Sequence, residues 1–266
     1  MEKAMKQYFI ILSLAGSDCS GGAGIQADIK TMSALGCYAA TVVTALTAQN
    51  TVGVQRVMAV PSEMIVAQIR SVMDDLQPRA IKIGMVNDRN SIHAIASTLR
   101  DYQLEHVVID PVMVSTSGER LMMRNALETF VTELLPLATL ITPNIPESKL
   151  LFPDGIGVYQ ESHPQAVLLK GGHRLCSEKT DILYQPHESP FYYHASKVET
   201  MNTHGTGCTL SSAVAAYLAQ GLPLAEAVKM AKEYMTSALR EGSDVTIGQG
   251  HGPVNHLFHP HSLIKL

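Results

Sequence analysis

Short, largely apolar runs alternate with longer amphipathic segments along most of the chain, and no other feature constrains the fold as strongly. The runs are 9–15, 80–86, 106–114, 138–142 and 166–170. Between the middle ones lie 61–76, 91–102 and 125–135, whose apolar residues recur at helical spacing. Pro61 stands where the first of these helices would start and Pro78 just beyond its end. A strand that is apolar on both sides must be covered on both faces. The alternation therefore predicts an α/β fold with a mostly parallel central sheet between helical layers. A length of 266 residues suits one such domain, 1–266, with a sizeable core.

Composition removes several function classes. Hydrophobic residues make up 46% and charged residues 17%, as in an ordinary globular protein, and the formal net charge is −4. No basic patch of the kind nucleic-acid binders need is present. Cys19, Cys37, Cys176 and Cys208 form no C-x-x-C pair, which argues against a disulfide framework or structural zinc and for thiols in a reducing cytoplasm. The apolar run at 8–15 is short and leads into glycines, so it reads as a buried strand and not as a signal peptide. No stretch is long enough to span a membrane.

Open α/β sheets bind ligands at the carboxyl ends of their strands. Those ends carry Gly16 to Gly24, Gly84-Met85, Asp110-Pro111-Val112, Thr142 to Glu147, and Lys170-Gly171-Gly172-His173. Glycines, two acids and a lysine would collect along one edge, a chemistry suited to phosphate.

Within that edge, 202–209 precedes the helix predicted over 210–219. Small residues there let the backbone approach a ligand, and the free amides of the first turn form an anion hole. Cys208 falls in that turn, where its thiol pKa should drop; the competing reading is a tight turn with an inert cysteine. In the helix predicted over 25–35, Asp28 lies within the arc of Ile25, Ile29, Met32 and Leu35. It must face a ligand or find an internal partner such as a lysine. Asp110 and Glu147, with Asn144 one turn earlier, suit Mg²⁺, or else Asn144 is an N-cap beside a solvated Glu147. Lys170 either meets phosphate or snorkels at an edge. There is no P-loop, and 22–24 lacks the third glycine of a dinucleotide fingerprint. His251, His256, His259 and His261 match no zinc spacing, and their terminal stretch is expected to be loose.

Taken together, A-G-S-D-C-S-G-G-A-G-I-Q-A-D (15–28), T-A-Q-N-T (47–51), K-I-G-M (82–85), D-P-V-M (110–113), T-P-N-I-P-E (142–147), L-K-G-G-H (169–173), N-T-H-G-T-G-C-T (202–209) and G-H-G-P-V (250–254) resemble the ribokinase-like superfamily. Within it they resemble the hydroxymethylpyrimidine/phosphomethylpyrimidine kinases of thiamine biosynthesis. The cysteine at 208, where sugar kinases carry aspartate, is the sharpest match. The resemblance implies a three-layer α/β/α fold, ATP and Mg²⁺ as cofactors, and phosphorylation of a hydroxymethylpyrimidine and then of its monophosphate. By the same resemblance Gln49 would bind the ring's amino and nitrogen edge, Asp28 the hydroxyl or amino group, and Gly16, Met85 and Val112 would line the pocket. Cys208 would occupy the base position, with Gly205 and Gly207 in the anion hole. Lys170, Thr206 and Asn144 would serve ATP, and Asp110 and Glu147 would serve magnesium. A homodimer is expected. The relatives carry a helix between Glu147 and the strand at 166; prolines and glycines in 148–165 predict that it is reduced or absent here.

Three rivals remain at this level. Pyridoxal also offers a hydroxymethyl group on a flat ring. A transferase or hydrolase with Cys208 as nucleophile would need His204 as its base. A nucleotide sensor without turnover would need only the ATP contacts.

Overall fold

The computed structural model describes residues 6–115, 118–171 and 178–266, and its apolar runs form the centre of one nine-stranded sheet. The strands are β1 (Ile10–Asp18), β2 (Tyr38–Gln49), β3 (Val54–Ala59), β4 (Ala80–Ile83), β5 (His106–Ile109), β6 (Leu140–Ile141), β7 (Ala166–Leu169), β8 (Glu178–Tyr184) and β9 (Phe191–Ser196). Their order is β3-β2-β1-β4-β5-β6-β7-β8-β9. In that order the six from β2 to β7 run parallel, and β3, β8 and β9 are antiparallel additions at the two edges. The edge strands and β2 have no wholly apolar run because one or both of their faces meet solvent.

Helices cover both faces. On one lie α2 (Ser62–Leu76), α3 (Arg89–Leu99) and an irregular helical stretch, packed on Leu12, Leu14, Ile81, Ile83, Val107 and Ile109. On the other lie α1 (Gly24–Ala34), α7 (Thr206–Ala219) and α8 (Leu224–Arg240), packed on Ile11, Ala80, Val108, Leu140 and Leu168. The alternation along each strand assigns successive residues to opposite layers. Ser13 and Lys82, which are cross-strand partners, thereby fall in the layer of α1 and α7. The helix expected over 125–135 is broken into a 3₁₀ turn (Arg124–Ala126), a single α-turn α4 (Leu127–Thr129), a π-turn (Phe130–Leu134) and a second 3₁₀ turn (Leu135–Leu137). Pro136 has no N–H to continue the ladder.

The connection 148–165 holds the end of α5 (Ile145–Leu151) and a seven-residue helix, α6 (Ile156–Ser162), so the expected helix is reduced and not lost. The buried face of α1 runs through Ile25, Asp28, Thr31 and Met32, whereas Ile29 points to solvent. The terminal histidine stretch is not loose. Val254 and His256 are buried, the His251 amide bonds Thr51, and the His204 amide bonds Gly252. His256 bonds the Thr209 hydroxyl, and the His259 and His261 rings meet edge to face. Among the described residues, no three His, Cys, Asp or Glu side chains converge as metal ligands.

Candidate active site

Two loops meet at the carboxyl edge of the sheet. The glycine-rich loop after β1 turns on Gly24, whose φ of 55° and approach to Gly16 O leave no space for a side chain. The loop before α7 turns on Gly205, with φ 79°; a Cβ there would stand 1.9 Å from Gly22 O. Each glycine is thus demanded twice, by backbone conformation and by a close backbone contact. Gly205 is the N-cap of α7 without a side-chain cap; the Thr206 amide turns back to Thr203 O at 3.4 Å, which leaves the next amides of the first turn, Gly207 and Cys208, to meet an anion. Thr206 and Cys208 remain partly open to solvent.

Beneath this turn lie the charged groups. A Cβ on Gly207 would come within 3.2 Å of Asp110 Oδ2 and 3.4 Å of Lys170 Nζ. Lys170 Nζ is 2.6 Å from Asp110 Oδ1, and the Thr142 hydroxyl donates to the same oxygen at 3.1 Å. Burial works against the Asp110 charge, but Lys170 and Lys82 outweigh it and hold the carboxyl below the usual range. Burial opposes the Lys170 charge as well, and Asp110 and Glu147 overcome it to raise that pKa. Lys170 is no edge residue with its head in water, since only 14% of its side chain is exposed.

Asn144 caps α5. Its side chain accepts from the Glu147 amide, and the Glu147 carboxylate accepts from the Asn144 amide at 2.8 Å, completing a capping box. Glu147 is buried, not solvated, and burial, with the nearby Asp110 charge adding to it, pushes its pKa up to about 7. Asn144 therefore has a structural task that its assignment to ATP did not include.

Two expectations about the site are overturned. Asp28 faces no ligand: Lys82 Nζ lies 2.9 Å from both its oxygens, and the Ser13 and Ser212 hydroxyls donate to it at 2.5 and 2.7 Å, with no solvent access. The internal lysine partner is the reading that holds, because a carboxylate buried at the centre of α1 requires a cation. The Cys208 thiol is not lowered. Burial pushes it up to about 11, although Lys82 and the Gly24 backbone favour the thiolate. The helix terminus does not compensate for the dense surroundings.

The other expected pocket residues gather nearby. Met85 Sδ would be 3.2 Å from a Cβ on Gly16, and Met85 packs with Ala45, Leu121 and Val112 in a small apolar cluster. Gln49 ends β2, with its side chain 3.3 Å from His204 Nε2. His204 Nε2 lies 2.8 Å from Asp18 Oδ2, so the ring serves Asp18 and Gln49 and is not the base that a Cys208 nucleophile would need. Gly172, His173 and Cys176 lie outside the described residues.

Sequence reasoning passed over Asp18, Lys82 and Ser212. Lys82 left a signal, a lone charge in an otherwise apolar four-residue strand. Ser212 left none, since its partner Asp28 is 184 residues away. The tie of Asp18 to His204, across 186 residues, left none either, although Asp18 also caps its own loop through Ser20, Gly22 and Ala23.

The profile of the phosphomethylpyrimidine kinase family matches residues 18–255. The chain belongs to that family. The hydroxymethylpyrimidine/phosphomethylpyrimidine kinase of Rhizobium meliloti is 48% identical to this family member over 261 residues, covering 94% of this chain and 97% of the relative. That of Escherichia coli is 43% identical over 259 residues, covering 93% and 97%. Among solved structures, the phosphomethylpyrimidine kinase of Clostridium difficile superposes with a TM-score of 0.76 at 41% identity, over 87% of this chain and 99% of that one. The Staphylococcus aureus pyridoxal kinase in complex with AMP-PCP superposes at 0.85 with 29% identity, over 94% of each chain. This phosphomethylpyrimidine kinase family member thus has the ribokinase-like fold, and its sequence, more than its backbone, separates it from pyridoxal kinases.

Proposed function

We propose that this chain, as one kinase domain over 1–266, transfers the γ-phosphoryl group of ATP to 4-amino-5-hydroxymethyl-2-methylpyrimidine and then to its monophosphate, in thiamine biosynthesis. The observation that carries the reading is the placement of Gly207: the open amides of α7 begin directly above Asp110 and Lys170. An anion hole facing a lysine and carboxylates is what phosphoryl transfer requires, because that reaction relies on positioning and charge stabilisation.

In this reading the Gly205–Cys208 amides and Lys170 hold the transferring phosphoryl group, with Thr206 and the Asn144 turn beside ATP. The pyrimidine lies over Gly16, Met85 and Val112, with its amino edge on Gln49. The hydroxymethyl oxygen attacks phosphorus in line; the O–P bond to ADP breaks, and the hydroxyl proton passes to the Cys208 thiolate. A loose transition state keeps that proton on the hydroxyl until late, when the oxygen has become acidic, and the acceptor is the thiolate fraction of Cys208 that Lys82 and the Gly24 backbone favour.

Asp110 and Glu147 are a donor set of two carboxyl groups, which fits Mg²⁺, an ion that binds through one or two carboxylates plus phosphates and waters. Bound there, the ion would neutralise phosphate charge. The reading also places the chain in the cytoplasm, in keeping with the free thiols of Cys19, Cys37 and Cys208. It makes the chain a homodimer, to which the exposed cross-strand pair Leu46 and Met58 offers an apolar face. Sedimentation of the purified chain tests that assembly.

The deciding experiment is an ATP-turnover assay over hydroxymethylpyrimidine, its monophosphate and pyridoxal. The two pyrimidines should turn over well above pyridoxal. Faster turnover of pyridoxal overturns the reading in favour of a pyridoxal kinase.

A further inference from the structure

We infer that His204, held by Asp18, is a positioning residue that fixes which way the Gln49 carboxamide faces and so sets the hydrogen-bonding polarity shown to a 4-aminopyrimidine ring. The inference rests on the pyrimidine-binding role of Gln49 and deepens it.

Asp18 is the anchor. Its carboxylate accepts from the Ser20 amide at 2.9 Å, the Ser20 hydroxyl at 2.7 Å, and the Gly22 and Ala23 amides at 3.1 and 2.8 Å. Burial works against its charge, but His204 and these donors outweigh it and lower the pKa to about 2. Asp18 is thus an acceptor only. His204 Nε2, 2.8 Å from Oδ2, must therefore carry a hydrogen and donate it. A protonated Nε2 cannot also accept from an amide.

Gln49 Nε2 is placed 3.3 Å from that nitrogen, and Gln49 Oε1 lies 3.2 Å from Thr47 Oγ1. The two ends of a carboxamide have nearly the same shape, so the hydrogen-bond network decides between them. Both ends require the reverse assignment. At His204 only a carbonyl oxygen can receive the shared N–H. At the other end Thr47 uses its one hydrogen on Ser17 O, 2.9 Å away, and has only lone pairs left for Gln49, which calls for the NH₂ group there. Cys19 clasps the backbone of Gln49 from the glycine-rich loop, with Sγ 3.1 and 3.2 Å from its O and N. The His204 ring is fixed too, since a Cβ on Gly22 would lie 2.4 Å from its Cδ2.

A carboxamide has two lone pairs and two hydrogens. His204 and Thr47 take one of each, leaving one acceptor and one donor of defined order. A 4-aminopyrimidine offers the complement, an amino donor beside a ring-nitrogen acceptor. A carboxamide free to rotate would show the wrong order part of the time.

The test is a steady-state comparison of His204→Ala, Gln49→Ala and the double variant. The substrates are the aminopyrimidine and its analogue lacking the 4-amino group, 5-hydroxymethyl-2-methylpyrimidine. His204→Ala should raise the aminopyrimidine KM about three- to tenfold, the worth of one ordinary hydrogen bond, and leave the KM for ATP nearly unchanged. It should add almost nothing in the Gln49→Ala background, and less with the analogue, which keeps only the ring-nitrogen acceptor. An undiminished His204→Ala effect in either case overturns the inference while the role of Gln49 stands. An unchanged aminopyrimidine KM in Gln49→Ala overturns that role and the inference with it. Should His204→Ala fail to fold, Thr47→Val removes the acceptor at the other end of the carboxamide and carries the same expected and overturning results.

Discussion

Lys82 Nζ sits 2.9 Å from both carboxylate oxygens of Asp28, and neither side chain has any contact with solvent. The pair ties β4 to α1, and Ser212 extends it to α7 one turn beyond Cys208. A polar island therefore lies beneath the anion hole in a layer otherwise made of apolar side chains. Gly84 makes room for it, since a Cβ there would be 2.7 Å from Nζ. Burial opposes the lysine charge, but Asp28, and behind it Cys208 and Asp110, raise its pKa.

Removing one partner of this pair strands the other as a buried charge. Lys82→Met should cost about 3–5 kcal/mol of stability, and adding Asp28→Leu should recover most of that, because a buried pair replaced by apolar groups is often nearly neutral. Urea unfolding of the two variants measures both values. A double variant as unstable as the single one would show that the loss is one of packing and not of charge.

Cys208→Ala should lower kcat by about 10²–10⁴ while ATP affinity stays within about twofold of wild type, as for a group that acts on the proton in transit. The thiol itself can be followed by alkylation with iodoacetamide, read at Cys208 by mass spectrometry. With its pKa pushed up to about 11, labelling should still be climbing at about pH 10. A plateau near neutral pH would mean that the helix terminus controls the thiol after all.

Gly205→Ala places a methyl group against Gly22 O in a backbone conformation, φ 79°, that side chains resist. Strain and clash together should cost more than about 1 kcal/mol and should abolish turnover, since the two loops can no longer meet. Thermal unfolding and the kinase assay report the two effects separately.

His256 supplies a pH dependence. Burial lowers its pKa from 6.5 to about 4, with Lys30 and His204 adding to the effect. Between those values the unfolded chain binds the proton and the folded one does not, so stability is complete above about pH 6.5 and falls as pH drops toward about 4. The gap corresponds to about 3 kcal/mol. His256→Gln, which cannot take up the proton, should flatten this part of the stability–pH curve, as followed by denaturant midpoints from about pH 7 to about pH 4. An unchanged slope would assign the acid loss to other groups.

The strand cores were legible because burial on both faces leaves few positions for a polar side chain, Ser13 and Lys82 being the buried exceptions, so β1, β4, β5, β6 and β7 stood out as apolar runs. β2, β3, β8 and β9 did not, since a half-exposed strand mixes polar and apolar residues in a pattern that a loop can share. At the site, the glycine turns, Asp110, Glu147 and Lys170 were readable from their places after successive strands. The partner of Asp28 was not, because Lys82 reaches it only through the packing of α1 on β4.

The sequence by itself determined the layered α/β architecture, the sheet edge that carries the candidate site and the set of groups gathered there, all consequences of hydrophobic period and of the residues at each strand's carboxyl end. Only the tertiary structure decided which charges pair with each other, and how far the Cys208 thiol departs from its ordinary pKa. Those outcomes depend on desolvation and on contacts between residues far apart in the chain, and local sequence carries no record of either.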